Sequence, residues 1–288
     1  MRIIKRIKGK KEYFYLQNSF RKGRRVITRE KYLGKSIPKN IEKIKQKMEE
    51  EHKKDLYKKL EKIKKNFQEE WKRYPKTVQE KEKEEIAIAF TYNTNAIEGS
   101  TITLEETRGI VHDKIAPQKP LYEIKETEAH AKVFLNMLED KEKISIELLL
   151  KWHKEIFGDT KGDIAGKFRE YRVRVGDYIA PDWQDVEELM KDFSKFLSNK
   201  KMNPVEFATR AHYKFEKIHP FGDGNGRIGR LVMNQILWHR KYPMLIIEYK
   251  KRKSYYKALK RDEEGFVNYF MRRYLSVHKK RSSGGKKI

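Results

Sequence analysis

The spacing of apolar residues after residue 83 constrains the fold most strongly, because they recur every three to four positions. Side chains at this spacing share one face of an α-helix, so the sequence predicts a mainly α protein. The predicted helices lie near residues 83–98, 103–113, 120–138, 144–157, 183–198, 204–218, 227–240, 252–261 and 264–275. Residues 169–181 instead alternate polar and apolar side chains around Gly176 and Asp177, which predicts a β-hairpin.

Two different segments precede this helical region. Residues 12–35 are rich in aromatic and β-branched side chains, with a turn at Lys22 and Gly23, and predict a small β-meander. Residues 41–84 are Lys/Glu-rich with helical apolar spacing, which predicts a long helix with a break near Pro75. This helix suits either an arm packed on the core or a homodimer interface. We therefore expect four segments: a basic meander (1–38), a charged helical arm (39–84), the main domain (85–276) and a basic disordered tail (277–288).

Positive charge is concentrated at the two ends of the chain. The 68 Lys and Arg residues outnumber the 42 Asp and Glu residues, which gives a formal net charge of +26. Residues 1–40 hold 14 basic and 2 acidic side chains, and residues 276–288 hold 5 basic and no acidic ones. A basic N-terminal arm suits nucleic acid, an anionic membrane or an acidic protein patch, and it also suits solubility alone.

Composition excludes several classes of function. The absence of cysteine excludes disulfides, thiol catalysis and cysteine-based zinc sites. The start of the chain lacks the apolar stretch of a signal peptide, and no run approaches the ~20 apolar residues of a membrane span. We therefore expect a cytoplasmic protein with no membrane partner. A metal hydrolase is the weakest enzyme class, because these histidines show no ligand spacing: His112, His130, His153 and His212.

The most informative segment runs from His219 to Arg230 and joins two predicted helices: His-Pro-Phe-Gly-Asp-Gly-Asn-Gly-Arg-Ile-Gly-Arg. Glycines ahead of a helix N-terminus let backbone N–H groups converge on an anion such as phosphate. Arg227 and Arg230 share one face of the first helical turn, where positive charge opposes the helix dipole unless an anion is present. Asp223 is suited to hold Mg²⁺ beside phosphates, and His219 is suited to accept a proton from a hydroxyl. A glycine-rich helix–helix turn with an incidental histidine is the alternative, which this density of functional residues disfavours.

This segment resembles the signature of the Fic family, HPFxxGNGRxxR, and matches it at every specified position. The resemblance extends from about Ile86 to Leu275 and implies a Fic-type helical bundle in which the hairpin 169–181 is a flap beside His219. It further implies a protein adenylyltransferase (AMPylator), which uses Mg²⁺ and transfers AMP from ATP to a Ser, Thr or Tyr hydroxyl of a target protein. The protein itself is among the expected targets.

The resemblance also implies roles for individual residues. His219 would be the general base and Asp223 the Mg²⁺ ligand, while Phe221 would anchor the loop in the core. The implied ATP and phosphate contacts are Gly224, Asn225, Gly226, Arg227 and Arg230.

Two further groups of residues carry predictions about the target and the base of the nucleotide. Tyr178 and Ile179 are candidates for holding an extended target segment on the flap, and an ordinary edge hairpin is the alternative. Tyr255 and Tyr256 resemble a tyrosine pair near the family's adenine pocket, although core packing explains one of them equally well. Glu263 occupies a position where relatives carry asparagine, which leaves the nucleotide preference open.

The stretch Thr94-Asn-Ala-Ile-Glu98-Gly99 resembles the family's inhibitory pattern, Ser/Thr-x-x-x-Glu followed by Gly or Asn, within the same chain and N-terminal to the motif. Gly99 is predicted to end a helix, so Glu98 lies at a helix C-terminus, where a negative charge is unfavourable. Arg230 has the opposite mismatch at a helix N-terminus. We therefore predict that the two side chains pair and that Glu98 withholds Arg230 from the γ-phosphate of ATP. A surface glutamate before a C-cap glycine is the alternative.

Two other functions are open at this stage. The same site could remove AMP from a modified protein, with Glu98 orienting a water molecule. Alternatively, the chain could be a nucleic-acid-binding regulator in which Fic activity is secondary or lost.

Overall fold

The structure is a computed structural model that describes residues 1–22, 25–140, 142–198 and 201–283. It divides into two compact units, Met1–Lys59 and the chain from Leu60 onward, and the division falls within helix α1 (Ile41–Arg73). No helix among the described residues has the length and apolar character needed to cross a membrane.

The first unit contains an antiparallel sheet of three strands in the order β1–β2–β3. The strands are β1 (Arg2–Lys8), β2 (Lys11–Lys22) and β3 (Arg25–Gly34). The predicted β-structure is therefore confirmed and is longer than expected, because β1 adds a strand before residue 12. Gly23 of the predicted turn lies outside the described residues.

The second unit is helical, as predicted. After α1 its helices are α2 (Lys76–Ile97), α3 (Leu104–Arg108), α4 (Leu121–Glu139), α5 (Ile146–Phe157), α6 (Val186–Leu197), α7 (Pro204–Ile218), α8 (Asn225–His239), α9 (Arg252–Leu259), α10 (Glu263–Val277) and α11 (Lys279–Ser283). A short hairpin, β4 (Arg174–Val175) and β5 (Tyr178–Ile179), interrupts the helices. Helix α11 falls within the segment predicted to be a disordered tail, and residues 284–288 lie outside the described residues.

Helix boundaries differ from the predicted ones where sequence signals are weak. Helix α2 begins at Lys76, directly after Pro75, and not near residue 83. Pro75 ends α1 because proline cannot donate within a helix, and the Lys/Glu run behind it favours helix over its whole length. The segment predicted as one helix over 103–113 is α3 followed by a π-helical turn at Gly109–Asp113. The hairpin ladder is only two residues long on each side of Gly176, whose φ is 57°.

Helices α7 and α8 form the centre of the second unit. The side chain of Asn203 accepts a hydrogen bond from the Val205 N–H (3.0 Å), and Pro204 occupies the first helical position, which together fix the start of α7. Phe215, Ile228 and Leu231 are fully buried between the helices around them. Helix α2 packs on α4 and α8, while α10 packs on α7. The loop between α7 and α8 is therefore supported from several sides.

Candidate active site

The loop between α7 and α8 begins and ends with left-handed residues. His219 caps α7 with φ 53° and Gly224 precedes α8 with φ 76°. A Cβ at Gly224 would overlap the ring of Phe157, so this position requires glycine for space as well as conformation. The left-handed conformation of His219 costs about 1–2 kcal/mol for a residue with a Cβ. Such strain is common where a side chain must be aimed at a functional site.

Asn225 and Phe221 lock the loop internally. The Asn225 amide accepts from the Phe221 N–H (2.8 Å) and donates to the Phe221 carbonyl (2.8 Å). Phe221 is fully buried, as its predicted anchoring role requires. The Asn225 side chain thus fixes the shape of the loop before α8. The backbone amides at the start of α8 are then available to bind an anion.

His153 supports this loop from α5, a role that sequence analysis missed. Its ring stacks on Phe221 with centroids 3.9 Å apart. Its Nδ1 accepts from the Gly166 N–H (2.9 Å), so Nε2 carries the proton and donates to the Asp223 carbonyl (3.0 Å). Burial lowers the pKa of His153 to about 4, so the ring is neutral at physiological pH. Nothing in the local sequence distinguishes this histidine from other polar residues of a buried helix.

The imidazole of His219 is prepared to act as a base. Its Nδ1 lies 3.3 Å from the Glu216 carbonyl, to which it can donate, which leaves the lone pair of Nε2 for an incoming proton. Burial lowers the pKa of His219 below its ordinary value, so the ring is predominantly neutral at pH 7. The side chain is half-buried, so a substrate hydroxyl can reach it.

Arg169 connects the hairpin to the loop and was also missed. Its guanidinium donates to the carbonyls of His219 (2.8 Å), Tyr171 (2.9 Å) and Pro181 (2.6 Å). Its backbone N–H donates to the Pro220 carbonyl (2.9 Å). One buried side chain thereby fixes both ends of the flap relative to His219.

The two predicted flap residues differ in exposure. The Tyr178 hydroxyl donates to the Lys217 carbonyl (2.6 Å), which anchors the hairpin on α7. Ile179 is 67% exposed and is free to contact a partner chain. The Asp177 carboxylate also pairs with Lys260 (2.9 Å).

Asp223 lies where a carboxylate could meet both a cation and a phosphate. Its Oδ1 accepts from the Gly224 N–H (2.5 Å), and its Oδ2 pairs with Lys161 (2.7 Å). Burial opposes ionisation, but Lys161 and Arg227 outweigh it and hold the pKa of Asp223 below its ordinary value. The side chain is 49% exposed. No group of three His, Cys, Asp or Glu side chains suited to a metal occurs in the described part of the chain. One exposed, ionised carboxylate fits Mg²⁺, which prefers one or two carboxylates together with substrate oxygens and water.

Arg227 is held by a carboxylate that sequence analysis did not identify. Glu126 of α4 pairs with the Arg227 guanidinium and with Lys161 (2.9 Å), and it accepts from the Thr160 hydroxyl (3.0 Å). Arg227 also lies over the Phe157 ring, 4.3 Å from its centroid. Burial would raise the pKa of Glu126, but Arg227 and Lys161 lower it overall.

Arg230 and Glu98 are in contact, as predicted from the unfavourable position of each charge relative to the dipole of its own helix. Arg230 Nη2 lies 2.5 Å from Glu98 Oε1, and Arg230 Nε donates to the Thr94 hydroxyl oxygen (2.6 Å). Glu98 is the C-cap of α2, and Gly99 follows with φ 99°. A Cβ at Gly226 would overlap the Glu98 carboxylate, which therefore lies against the N-terminal turn of α8.

A cavity of about 150 Å³ lies beside these groups. Its lining includes Glu98, Glu126, Lys161, Asp223 and Arg227. The loop, both acidic partners and the candidate metal ligand therefore border one space. The cavity therefore combines carboxylates that could hold a cation with Lys161 and Arg227, which could meet an anion.

The predicted adenine tyrosines have different surroundings. Tyr255 is buried, and its hydroxyl hydrogen-bonds to His212 Nε2 (2.8 Å). Tyr256 is 38% exposed, and its hydroxyl donates to the Ile97 carbonyl (3.1 Å) beside Glu98. Glu263 pairs with Arg210 (3.0 Å) and Lys214 (3.3 Å) of α7. Of these side chains, Tyr256 alone combines exposure with proximity to the α2 terminus.

Comparison with known proteins finds relatives of the segment that contains this site. The model of the Fic/DOC family matches residues 143–237. The chain is 38% identical over 189 residues to the protein adenylyltransferase Fic of Nematostella vectensis, an alignment that covers 63% of this chain and 44% of that protein. It is 36% identical over 199 residues to the protein adenylyltransferase Fic of Drosophila ananassae, covering 67% of this chain and 40% of that protein.

Solved structures agree with the sequence matches. Fic-1 from C. elegans superposes with a TM-score of 0.68 at 26% identity, over 83% of this chain and 73% of that chain. A Fic domain-containing signaling protein from Bacteroides thetaiotaomicron shares the fold, with a TM-score of 0.67 at 20% identity over 79% of this chain and 98% of that chain. The chain therefore carries a domain of the Fic/DOC family, and its fold is that of Fic proteins. It spans less than half the length of these two curated relatives.

Proposed function

We propose that this protein is an adenylyltransferase that moves AMP from ATP to a hydroxyl side chain of a protein. The observation that carries the proposal is the rigid attachment of His219 to an anion-binding turn. Phe221, Asn225 and His153 hold this turn in place, and Nε2 of His219 is available as a base. The names of the curated relatives support the same activity.

In the proposed reaction the target hydroxyl oxygen attacks the α-phosphorus of ATP. A new oxygen–phosphorus bond forms, the bond to the β-phosphate bridge breaks, and pyrophosphate leaves. His219 Nε2 takes the hydroxyl proton, for which its lowered pKa keeps it in the neutral form. The amides at the start of α8, together with Arg227 and Arg230, hold the phosphates in line. Mg²⁺, held by Asp223, would neutralise phosphate charge when bound.

Glu98 restrains this reaction in the proposal. Arg230 has the Glu98 carboxylate where a γ-phosphate would otherwise bind (2.5 Å), so the two anions compete for one guanidinium. Without Arg230 the triphosphate lacks one of its anchors, and its α-phosphate is not presented for attack. Displacement of Glu98 is therefore required for transfer.

Three further assignments complete the proposal. Tyr256 contributes to the adenine pocket, because it is exposed beside the α2 terminus, whereas Tyr255 stabilises the core behind it. Ile179 contacts the extended target segment, and Tyr178 keeps the flap in register with His219. The targets include the protein itself, and α1 is the candidate surface for a homodimer.

Intact-mass analysis of Glu98→Gly after incubation with ATP and Mg²⁺ tests the proposal. We expect a mass increase of one AMP on this variant, severalfold faster than on the wild type. The double variant Glu98→Gly, His219→Ala should remain unmodified, and so should Glu98→Gly in EDTA or with Asp223→Ala. Modification that persists without His219 would refute its role, and an absence of any adduct with protein substrates would refute the transfer.

Removal of AMP is a second candidate reaction at this site. Glu98 is 30% exposed, so its carboxylate could orient a water molecule that attacks the AMP–protein bond. Incubation of AMP-modified protein with the wild type and with Glu98→Gln distinguishes the reactions. AMP release by the wild type alone would favour removal.

Nucleic-acid binding by the first unit is a separate candidate function. Directly opposed residues share a face of an antiparallel sheet, so the register places Arg2, Arg6 and Lys8 beside Tyr15 and Tyr32. Arg6 lies over the Tyr15 ring (4.8 Å), and Tyr32 is 52% exposed. Cations interleaved with exposed aromatic rings suit a phosphate backbone with stacked, unpaired bases.

Fluorescence anisotropy with a labelled single-stranded oligonucleotide tests this second function on the full chain. Lys8→Ala should weaken binding and reduce the slope of log affinity against log salt concentration by about one. Lys31→Ala on the opposite face should change both quantities little. Tyr32→Ala should weaken single-strand binding about 5- to 100-fold and duplex binding much less. Equal effects of Lys8→Ala and Lys31→Ala would refute this face.

A further inference from the structure

A buried polar cluster behind Arg230 has no part in the proposed chemistry. It consists of Glu216 and His212 on α7, with Tyr255 of α9. The Glu216 side chain is 11% exposed, and its Oε1 has no hydrogen-bond partner in the described structure. His212 Nδ1 is also without a partner there and lies 3.9 Å from Glu216 Oε1.

The cluster is closely packed against α8. A Cβ at Gly229 would lie 3.0 Å from Glu216 Oε1 and 3.0 Å from His212 Nδ1, so both atoms lie beside the α8 backbone with little room for a side chain between them. A buried carboxyl oxygen without a partner costs about 1–3 kcal/mol, more if it is charged. A native structure keeps such a group for a reason, such as stored strain, a functional role, or a bound water or ion.

The groups facing Glu216 come from four helices. Burial raises the pKa of Glu216 to about 7 and Glu98 adds to this effect, while Arg230, Lys217 and a hydrogen bond with Tyr255 oppose it. The pKa of His212 is about 3 because of burial and Arg230, so this ring stays neutral. Burial raises the pKa of Tyr255, so its hydroxyl also stays neutral.

We propose that Glu216 is a positioning residue that exchanges a proton whenever Glu98 joins or leaves Arg230. With Glu98 on Arg230, the buried guanidinium has its counter-charge and Glu216 holds a proton. When Glu98 leaves, Glu216 releases that proton and becomes the counter-charge that keeps Arg230 oriented toward the site. This inference rests on the proposed function, since it concerns the same arginine.

The direction of the pH effect follows from linkage. The carboxylate of Glu98 favours the protonated form of Glu216, so the state with Glu98 on Arg230 binds more protons than the state with Glu98 away. Low pH therefore favours the restrained state. As pH rises through about 7, the restrained state loses its advantage and the free enzyme releases Glu98 more often.

Transfer kinetics at subsaturating ATP measure this equilibrium. The ratio of kcat/KM for ATP in the wild type to that in Glu98→Gly reports the fraction of free enzyme with Glu98 away, because effects common to both proteins cancel. We expect this ratio to rise severalfold, up to about tenfold, between about pH 6 and pH 8.5. In the Glu216→Gln background the same ratio should be independent of pH.

Each outcome bears on one claim. A ratio that does not change with pH in the wild type would overturn the role of Glu216. A ratio that changes with pH equally in the Glu216→Gln background would also overturn it, and would assign the effect to His219. Absence of transfer by Glu98→Gly would instead refute the proposed function. Should Glu216→Gln fail to fold, carboxyl ¹³C NMR decides the matter: Glu98→Gln must lower the pKa of Glu216, and an unchanged value contradicts the proposal.

Discussion

Arg227 and Arg230 lie three residues apart on α8, are both buried, and each pairs with a glutamate from a different helix. Their partners differ. Glu126 lies within α4, is 7% exposed at its side chain and is bonded to Arg227, Lys161 and Thr160. Glu98 lies at the end of α2, its side chain is 30% exposed, and its carboxylate hydrogen-bonds Arg230. We therefore expect the Glu126–Arg227 pair to be a fixed support and the Glu98–Arg230 pair to be a displaceable contact.

The largest expected difference between the two pairs is in stability. Glu126→Ala leaves a buried guanidinium without its main partner, which should lower the free energy of unfolding by about 3–5 kcal/mol. Glu98→Ala should lower it less, because the Glu98 carboxylate is partly solvated and Arg230 keeps its bonds to Thr94. Urea unfolding followed by circular dichroism measures both, and equal losses would remove the distinction.

The two glutamates should affect transfer in opposite directions. Glu98→Gln should raise the rate severalfold, whereas Glu126→Gln in the Glu98→Gly background should lower it about 10- to 100-fold, since it weakens a charge-assisted bond to Arg227. Glu128→Gln, an exposed position on the same helix as Glu126, is the matched control and should leave the rate unchanged. Activation by Glu126→Gln would show that Arg227 is also restrained by its partner.

The contribution of the Glu126–Arg227 pair to the free energy of unfolding should depend on pH in acidic solution. The pKa of Glu126 is lowered in the folded protein, so its contribution is present above the unfolded value of about 4.3 and is lost as pH falls through the folded value. The difference in unfolding free energy between the wild type and Glu126→Gln should therefore be constant near neutral pH and shrink below about pH 4. A difference that grows on acidification would contradict the pairing.

The smallest expected effect concerns the base. Because burial lowers the pKa of His219, transfer by Glu98→Gly should change little above neutral pH and fall only in more acidic solution, below the ordinary histidine value of 6.5. The pH dependence of single-turnover transfer measures this effect. A midpoint above 6.5 would mean that the imidazole is stabilised in its charged form.

The difference between the partners of Arg227 and Arg230 also explains which site contacts could be predicted from the sequence. Glu98 and Arg230 are 132 residues apart, yet each charge opposes the dipole of its own helix, and that local mismatch indicated a partner. Glu126 lies 101 residues from Arg227 and has no local mismatch within α4, so no sequence signal pointed to it. Arg169 and Lys161 were missed for a similar reason, because they bond to His219, Glu126 and Asp223, which lie far from them in the sequence.

The helices and strands also divide into features that the sequence predicted and features that it did not. The three-to-four spacing predicted the helical bundle, and the asparagine and proline at 203–204 marked the start of α7. The spacing could not place the start of α2, because residues 76–84 contain one apolar side chain, Val78, which is too few to show a helical period. The polar and apolar alternation of residues 169–181 predicted a longer ladder than exists, since Arg169 satisfies carbonyls that strands would otherwise use.

Equilibrium binding of nucleotides tests most directly the claim that Glu98 and a γ-phosphate compete for Arg230. The measurement compares wild type and Glu98→Gln by isothermal titration calorimetry with α,β-methylene-ATP, which cannot transfer AMP, and with AMP, which has no γ-phosphate. The account predicts that Glu98→Gln tightens binding of the ATP analogue about tenfold, or about 1.4 kcal/mol, and leaves AMP binding unchanged. Equal affinity of the two proteins for the ATP analogue, or an equal gain for AMP, would contradict it.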